Sequence, residues 1–332
     1  MLIGQIALLV IGILLLIKGS DFFVDAGSKI GKTLKINEML LGVTIVSFGT
    51  SLPEFIVALT SAQTGSTEIA LGNILGTNLF NTCVILAVIA LIKPVQFKKD
   101  TVRKDMYMSV VTALVLLIIM SDKILNGDAA NILSRTDGLI LLVLFGMFLY
   151  YTLYTLTDYW KERKEDKKNK KEIKLKLKDI DTLTVNILLM LLGIVMVFVG
   201  ANWSVSAVEE IARIVGISET FISIIVVAVG TSLPEIFTSI SALKKGKQDI
   251  AVGNLIGSNM FNIMFVLGTA AAIRPIPLKM DSLIVDAFTF LMVMILLLIH
   301  ARKGKDYIIS KGEGLSFLAI YVSYIIYVVV RG

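Results

Sequence analysis

The sequence has little of what soluble cofactor and metal centres are built from. One cysteine, Cys83, occurs in 332 residues. No internal disulfide can form, and cysteine usage gives no reading of compartment. Cys83 itself reads as a small packing residue in an apolar helix. One histidine, His300, is present, so a Cys/His cluster for zinc or copper is excluded. Charged residues make up 17% of the chain and lie mostly between the apolar stretches. The N-terminus lacks a basic n-region, and no small-residue cleavage signal follows the apolar run 2–17. That run is read as a retained first span, not a signal peptide.

Hydrophobicity is what the chain has in quantity. The hydrophobic fraction is 56% and the mean hydropathy +0.83. Apolar residues come in runs of about 18–25, the length a helix needs to cross a bilayer. Ten such runs lie near 2–24, 39–62, 69–92, 106–122, 137–156, 184–206, 220–243, 250–273, 283–300 and 313–330. They lack the alternation of membrane barrel strands, and open sheet edges cannot sit in lipid. The predicted fold class is an all-α polytopic membrane protein with ten transmembrane helices.

Basic residues fix the expected sidedness. The loops after spans 1, 3, 5, 7 and 9 hold 25 of the 32 Lys and Arg, and the opposite side with both termini holds 6. By the positive-inside rule the former loops are cytoplasmic and both termini extracellular, in the plasma membrane. The longest loop, 157–183, mixes Lys with Glu and reads as a solvated cytoplasmic linker, helical near its ends. Lys and Arg placed this way mark membrane sidedness, and no nucleic-acid partner is expected.

The chain repeats itself with an offset of 181 residues. Gly-Thr-Ser-Leu-Pro-Glu occurs at 49–54 and 230–235. Gly-Asn-Ile-Leu-Gly-Thr-Asn-Leu-Phe-Asn at 72–81 matches Gly-Asn-Leu-Ile-Gly-Ser-Asn-Met-Phe-Asn at 253–262. Between 49 and 94, 19 of 46 positions equal their partners. The division is therefore 1–156 as a first five-helix unit with its core at 42–81, 157–183 as linker, and 184–332 as a second unit with its core at 223–262. An odd number of spans per unit makes consecutive copies insert in opposite orientation, which predicts two inverted five-helix repeats with a site between them near the midplane.

Each core breaks the rules of a membrane helix in the same way. Pro53 and Pro234 have no N–H to give, so carbonyls should be freed around Ser47–Gly49 and Ala228–Gly230. With the hydroxyls of Thr50, Ser51, Thr231 and Ser232 and the carboxylates of Glu54 and Glu235, these form an all-oxygen set of the kind Na⁺ and Ca²⁺ prefer. Asn73, Thr77 and Asn81 make one helical stripe, and so do Asn254, Ser258 and Asn262. Taken singly, each feature has a bland explanation. Proline can merely kink, Gly72, Gly76, Gly253 and Gly257 can merely pack, and Ser or Thr can bond back to its own helix. The glutamates resist it, because a mid-membrane carboxylate without a basic partner costs about 2.5–3.5 kcal/mol on insertion scales. Two of them supply −2, which one Ca²⁺ or two Na⁺ would neutralise.

The two cores resemble the α-repeats of the cation/Ca²⁺ antiporter superfamily, in particular its prokaryotic sodium/calcium exchangers, and the likeness spans essentially the whole chain. It implies Na⁺/Ca²⁺ antiport by alternating access, electrogenic with about three Na⁺ per Ca²⁺. It implies Ca²⁺ ligands centred on Glu54 and Glu235 with the carbonyls of Thr50 and Thr231. Na⁺ sites would use Ser51, Thr77, Ser232, Ser258 and the carbonyls of Ser47 and Ala228, with Asn81 and Asn262 at the centre. Asn262 stands where some members carry aspartate, which argues against K⁺ co-transport. Thr77 stands where serine is usual and keeps the oxygen. Na⁺, Ca²⁺ and the bilayer are the expected partners. No cofactor is expected, no catalytic residue is assigned, and a monomer suffices.

The competing reading is an H⁺/Ca²⁺ antiporter using the same glutamates. That branch carries acidic residues in its second conserved helices, where this chain offers Asn, Ser and Thr. An intramembrane enzyme would need a nucleophile with a base, paired aspartates or a metal centre, and a channel would need pore loops; neither is evident. Spans 1 and 6, whose matched segments start at Gly19 and Gly200, are expected to slide against the other eight.

Overall fold

The apolar runs become helices. The computed structural model describes residues 2–64, 67–125, 130–165, 177–215, 229–278, 282–303 and 307–331. In chain order the long helices are α1 (Leu2–Leu34), α2 (Glu38–Thr50), α3 (Leu52–Thr64), α4 (Ile69–Ile92), α5 (Asp105–Ile119) and α6 (Arg135–Glu165). They continue with α7 (Leu177–Ile214), α8 (Leu233–Lys244), α9 (Gln248–Ile273), α10 (Ser282–Arg302) and α11 (Lys311–Arg331). Among the described residues, seven helices are long and apolar enough to cross a bilayer alone, and the bent pair α2–α3 makes an eighth.

The two remaining expected spans differ for separate reasons. At 106–122 the helix α5 has 15 residues, and at about 1.5 Å per residue it falls short of a roughly 30 Å hydrocarbon core. At 220–243 the first half, with Ala228 and the start of the second repeat core, lies outside the described residues. The linker ends are helical, since α6 runs to Glu165 and α7 starts at Leu177.

Burial sorts the helices into layers. The apolar windows of α9 and α4 are 94% and 78% buried, whereas those of α6 and α11 are 22% and 11% buried. The sequence foretells this order. α4 and α9 hold the polar stripes, which must be kept from lipid, while α11 turns residues such as Val322, Ile326 and Val330 outward.

α1 and α7 run antiparallel with their backbones in contact. A Cβ on Gly12 would lie 2.9 Å from the Gly200 carbonyl, and one on Gly193 would lie 2.8 Å from the Gly19 carbonyl. Adding 181 turns Gly12 into Gly193 and Gly19 into Gly200, so the two contacts are exchanged by the repeat offset. Close contacts matched in this way are what two oppositely inserted copies would make between these helices.

Short antiparallel strands tie the helix ends together. β1 (Val95–Gln96) pairs with β4 (Ile308–Ile309), Val95 opposite Ile309. β2 (Asn131–Leu133) pairs with β3 (Ile276–Leu278), Leu133 opposite Ile276. The first pair joins the loops after spans 3 and 9. Lys98 forms an ion pair with Asp249, bringing in the loop after span 7. Lys245 meets Asp25 at 2.6 Å, which adds the start of the stretch after the first expected span. The loops after spans 1, 3, 7 and 9 thus gather on one face, and those after spans 4 and 8 pair with each other. For these six loops the grouping agrees with the one that the Lys and Arg counts make.

Candidate functional site

The site forms where α2, α3, α4, α8 and α9 meet. Pro53 cannot donate to the Gly49 carbonyl, and α2 and α3 are bent by 47° at this break. Pro234 begins α8 in the same way. The bend turns Glu54 and Glu235 into the interior, where both are fully buried. Gly253 and Gly257 let α9 dock on α2 by bare backbone. A Cβ on Gly253 would lie 2.6 Å from the Met39 carbonyl, and one on Gly257 would lie 2.5 Å from that of Val43. No side chain fits between the two, so the polar stripe of α9 is held against Thr50.

Hydrogen bonds across the site come in pairs exchanged by the repeat offset. The Thr50 hydroxyl donates to Asn254 Oδ1 at 3.0 Å, and the Thr231 hydroxyl to Asn73 Oδ1 at 3.3 Å. Thr50 and Ser258 hydroxyls are 3.3 Å apart, and so are those of Thr77 and Thr231. Asn81 Nδ2 donates to Asn259 Oδ1 at 3.4 Å, and Asn262 Nδ2 to Asn78 Oδ1 at 3.0 Å. The Ser51 hydroxyl donates to Glu235 Oε1 at 3.3 Å.

Five buried oxygens of these residues have no hydrogen-bond partner: both carboxylate oxygens of Glu54, Glu235 Oε2, Asn81 Oδ1 and Asn262 Oδ1. Buried acceptors are ordinarily satisfied, and leaving one bare costs about 1–3 kcal/mol. All five are acceptors, and three carry carboxylate charge, so the ligand that would satisfy them is a cation. The donor set is hard oxygen throughout. Among the described residues no three His, Cys, Asp or Glu side chains cluster as a transition-metal site would need.

Of the expected site residues, Glu54, Glu235, Thr50, Ser51, Thr77, Asn81, Ser232, Ser258 and Asn262 are buried and Thr231 is half-buried. Ala228 lies outside the described residues. Ser47 is buried, but its carbonyl already accepts the Ser51 N–H at 3.0 Å. It is therefore not left free by the break; the carbonyl that Pro53 deprives is that of Gly49.

The sequence reading assigned no role to Asn78 and Asn259, the residues that bridge the two halves. The Asn259 amide donates to Thr82 at 2.7 Å, and the Asn78 amide to the Asn259 carbonyl at 3.2 Å. Their signal was present, because both belong to the repeated motif and match at the offset. Also new are single π-helical segments starting at Asn81 and at Asn262, matched positions again. A π turn widens a helix by one residue, and such turns recur at functional sites.

A buried pair of carboxylates with neutral oxygens about a local two-fold, inside a helical membrane bundle, defines a cation antiporter of the membrane class. The chain belongs to the sodium/calcium exchanger protein family, which matches residues 4–154 and 185–330. The unmatched stretch between these segments overlaps the charged linker. The chain is 34% identical over 269 residues to the inner membrane protein YrbG of Escherichia coli, covering 81% of this chain and 80% of that one. It is 26% identical to the sodium/calcium exchanger MaX1 of Methanosarcina acetivorans, covering 96% and 97%. Among solved structures it resembles the sodium-calcium exchanger NCX_Mj with a TM-score of 0.81 and 26% identity, covering 98% of each chain.

Proposed function

We propose that this protein exchanges Na⁺ for Ca²⁺ across the plasma membrane by alternating access, electrogenically and without K⁺. The observation that carries the reading is the set of five unpartnered oxygens around Glu54 and Glu235. Two bare carboxylates in a membrane interior are costly, by several kcal/mol per ion in a protein of low dielectric. One Ca²⁺ or two Na⁺ cancels their charge, and a third Na⁺ leaves +1. A site of −2 thus resists being empty and alternates between the two cations. The exchanged hydrogen-bond pairs and the antiparallel α1 and α7 support ten helices in two inverted five-helix repeats. Such a site would be equivalent when approached from either side. The basic-loop face is taken as cytoplasmic, with both termini outside.

The test is ⁴⁵Ca²⁺ uptake into vesicles driven by an outward Na⁺ gradient. Uptake is expected in the parent protein, independent of K⁺, and lost in Glu54→Gln and Glu235→Gln. Full Na⁺-driven uptake in Glu54→Gln would remove the site. Equal uptake driven by a pH gradient without Na⁺ would assign the protein to H⁺/Ca²⁺ antiport instead.

A further inference from the structure

α1 packs along α8, and charge joins them at one end only. Lys245 Nζ lies 2.6 Å from Asp25 Oδ2, 3.0 Å from the Asp21 carbonyl and 3.4 Å from Asp21 Oδ1. Lys247 Nζ lies 3.3 Å from Asp25 Oδ1. The buried Ser241 hydroxyl donates to Asp21 Oδ1 at 2.7 Å, and one turn further in Thr238 and Ser20, both fully buried, stand 3.5 Å apart. A polar seam therefore runs between α1 and α8 from the basic-loop face toward Glu235, which lies one turn beyond Thr238. The ion pairs sit at its outer end.

The repeat offset makes this asymmetric. The matched positions of Asp21, Asp25, Lys245 and Lys247 are Asn202, Ser206, Thr64 and Ser66, which carry no charge. The packing differs in the same sense. Nothing comparable to the α1–α8 contact joins α7 to α3 among the described residues. Thr60 and Thr64 are exposed, whereas Ser241, the partner of Thr60, is buried. A site otherwise nearly two-fold symmetric thus has ion pairs between α1 and α8 whose matched positions are uncharged.

We propose that Asp21, Asp25, Lys245 and Lys247 are an ionic latch that clamps α1 to α8 and biases the transporter toward closure at the basic-loop face. The inference adds to alternating access a preference between its two states. Opening this face means separating two Lys from two Asp. At the opposite face the four matched positions supply no such pairs. Because the four groups are partly exposed, the latch sets a bias rather than a lock.

The experiment reads access without transport. Thr238→Cys is introduced into Cys83→Ala protein and reacted with a membrane-impermeant methanethiosulfonate from the basic-loop face of oriented vesicles. Lys245→Gln with Lys247→Gln, and separately Asp25→Asn, should speed labelling about threefold to tenfold, the range expected of partly exposed pairs acting together. Reversing all four charges (Asp21→Lys, Asp25→Lys, Lys245→Glu, Lys247→Glu) should restore slow labelling. An unchanged rate in both neutralised variants would overturn the latch, as would fast labelling in the charge-reversed protein. Since labelling needs no ion gradient, the latch can fail while Na⁺-driven Ca²⁺ uptake succeeds, and the reverse.

Discussion

Replacing Gly257 by alanine should damage exchange out of proportion to the single carbon added. The new Cβ would lie 2.5 Å from the Val43 carbonyl oxygen, 2.6 Å from Ser47 Oγ and 2.7 Å from Val43 Cα. Two of these three atoms are backbone, so no side-chain rotation relieves the contact. Ordinary contact begins near 3.4 Å, so α2 and α9 must part by roughly 1 Å in a close-packed interior. Overpacking of this kind costs about 1–3 kcal/mol. The same displacement would carry Ser258 and Asn254 away from Thr50, which holds them at 3.3 and 3.0 Å. Both contacts would then exceed hydrogen-bond length. A shift of about 1 Å in a positioned site can cost on the order of 10²-fold in rate. Na⁺-driven ⁴⁵Ca²⁺ uptake by Gly257→Ala should therefore fall at least tenfold, with a lowered melting temperature in detergent. Gly146→Ala, where a Cβ meets nothing within 4 Å, should leave both unchanged. Full uptake and an unaltered melting temperature in Gly257→Ala would refute the claim that bare backbone contact sets the site geometry.

Two further outcomes follow from the same coordinates. Asn262→Asp replaces the amide that donates to Asn78 Oδ1 at 3.0 Å with an acceptor, and adds a third negative charge. Uptake should slow and become stimulated by K⁺, and unchanged, K⁺-indifferent uptake would show that Asn262 does not set the cation count. Val24 of α1 and Val46 of α2 belong to one buried cluster, together with Ala242 of α8 and Ile250 and Ala251 of α9. A short thiol crosslink between Val24→Cys and Val46→Cys, in Cys83→Ala protein, should block uptake and release it on reduction; full uptake after complete crosslinking would exclude sliding of α1 over α2.

Several levels of the structure were legible before any coordinates. Apolar runs of spanning length marked most of the helices, since lipid leaves the backbone no other way to satisfy itself. The Lys and Arg distribution sorted the loops into the two groups that the strand pairs and ion pairs bring together. Pro53 marked the broken helix, and the repeat marked Glu54 and Glu235. What could not be read is whatever depends on how helices dock. Asn78 and Asn259 bridge the halves only because α4 and α9 cross at that depth. The π segments at Asn81 and Asn262 add a residue to a turn without a composition signal. The Ser47 carbonyl looked free by counting back from Pro53, yet the last turn of α2 closes on it. The Asp21–Lys245 contact joins positions whose charges differ between the repeats, so a search for sameness passes over it.

The strand clips bear on how the molecule is made. β1 lies in the first half of the chain and waits for β4, near the far end, while β3 returns to meet β2. A strand of two or three residues cannot hold itself, and an isolated pair that short is marginal in water. When the first half has entered the bilayer, its surface strands still lack their partners and α4 lacks α9. Each half is completed by the other, so synthesis of one is a state of suspended assembly, with hydrogen-bonding edges open until β3 and β4 arrive. The same arrangement means that the connection between the halves carries little of the burden of holding them together once both are present.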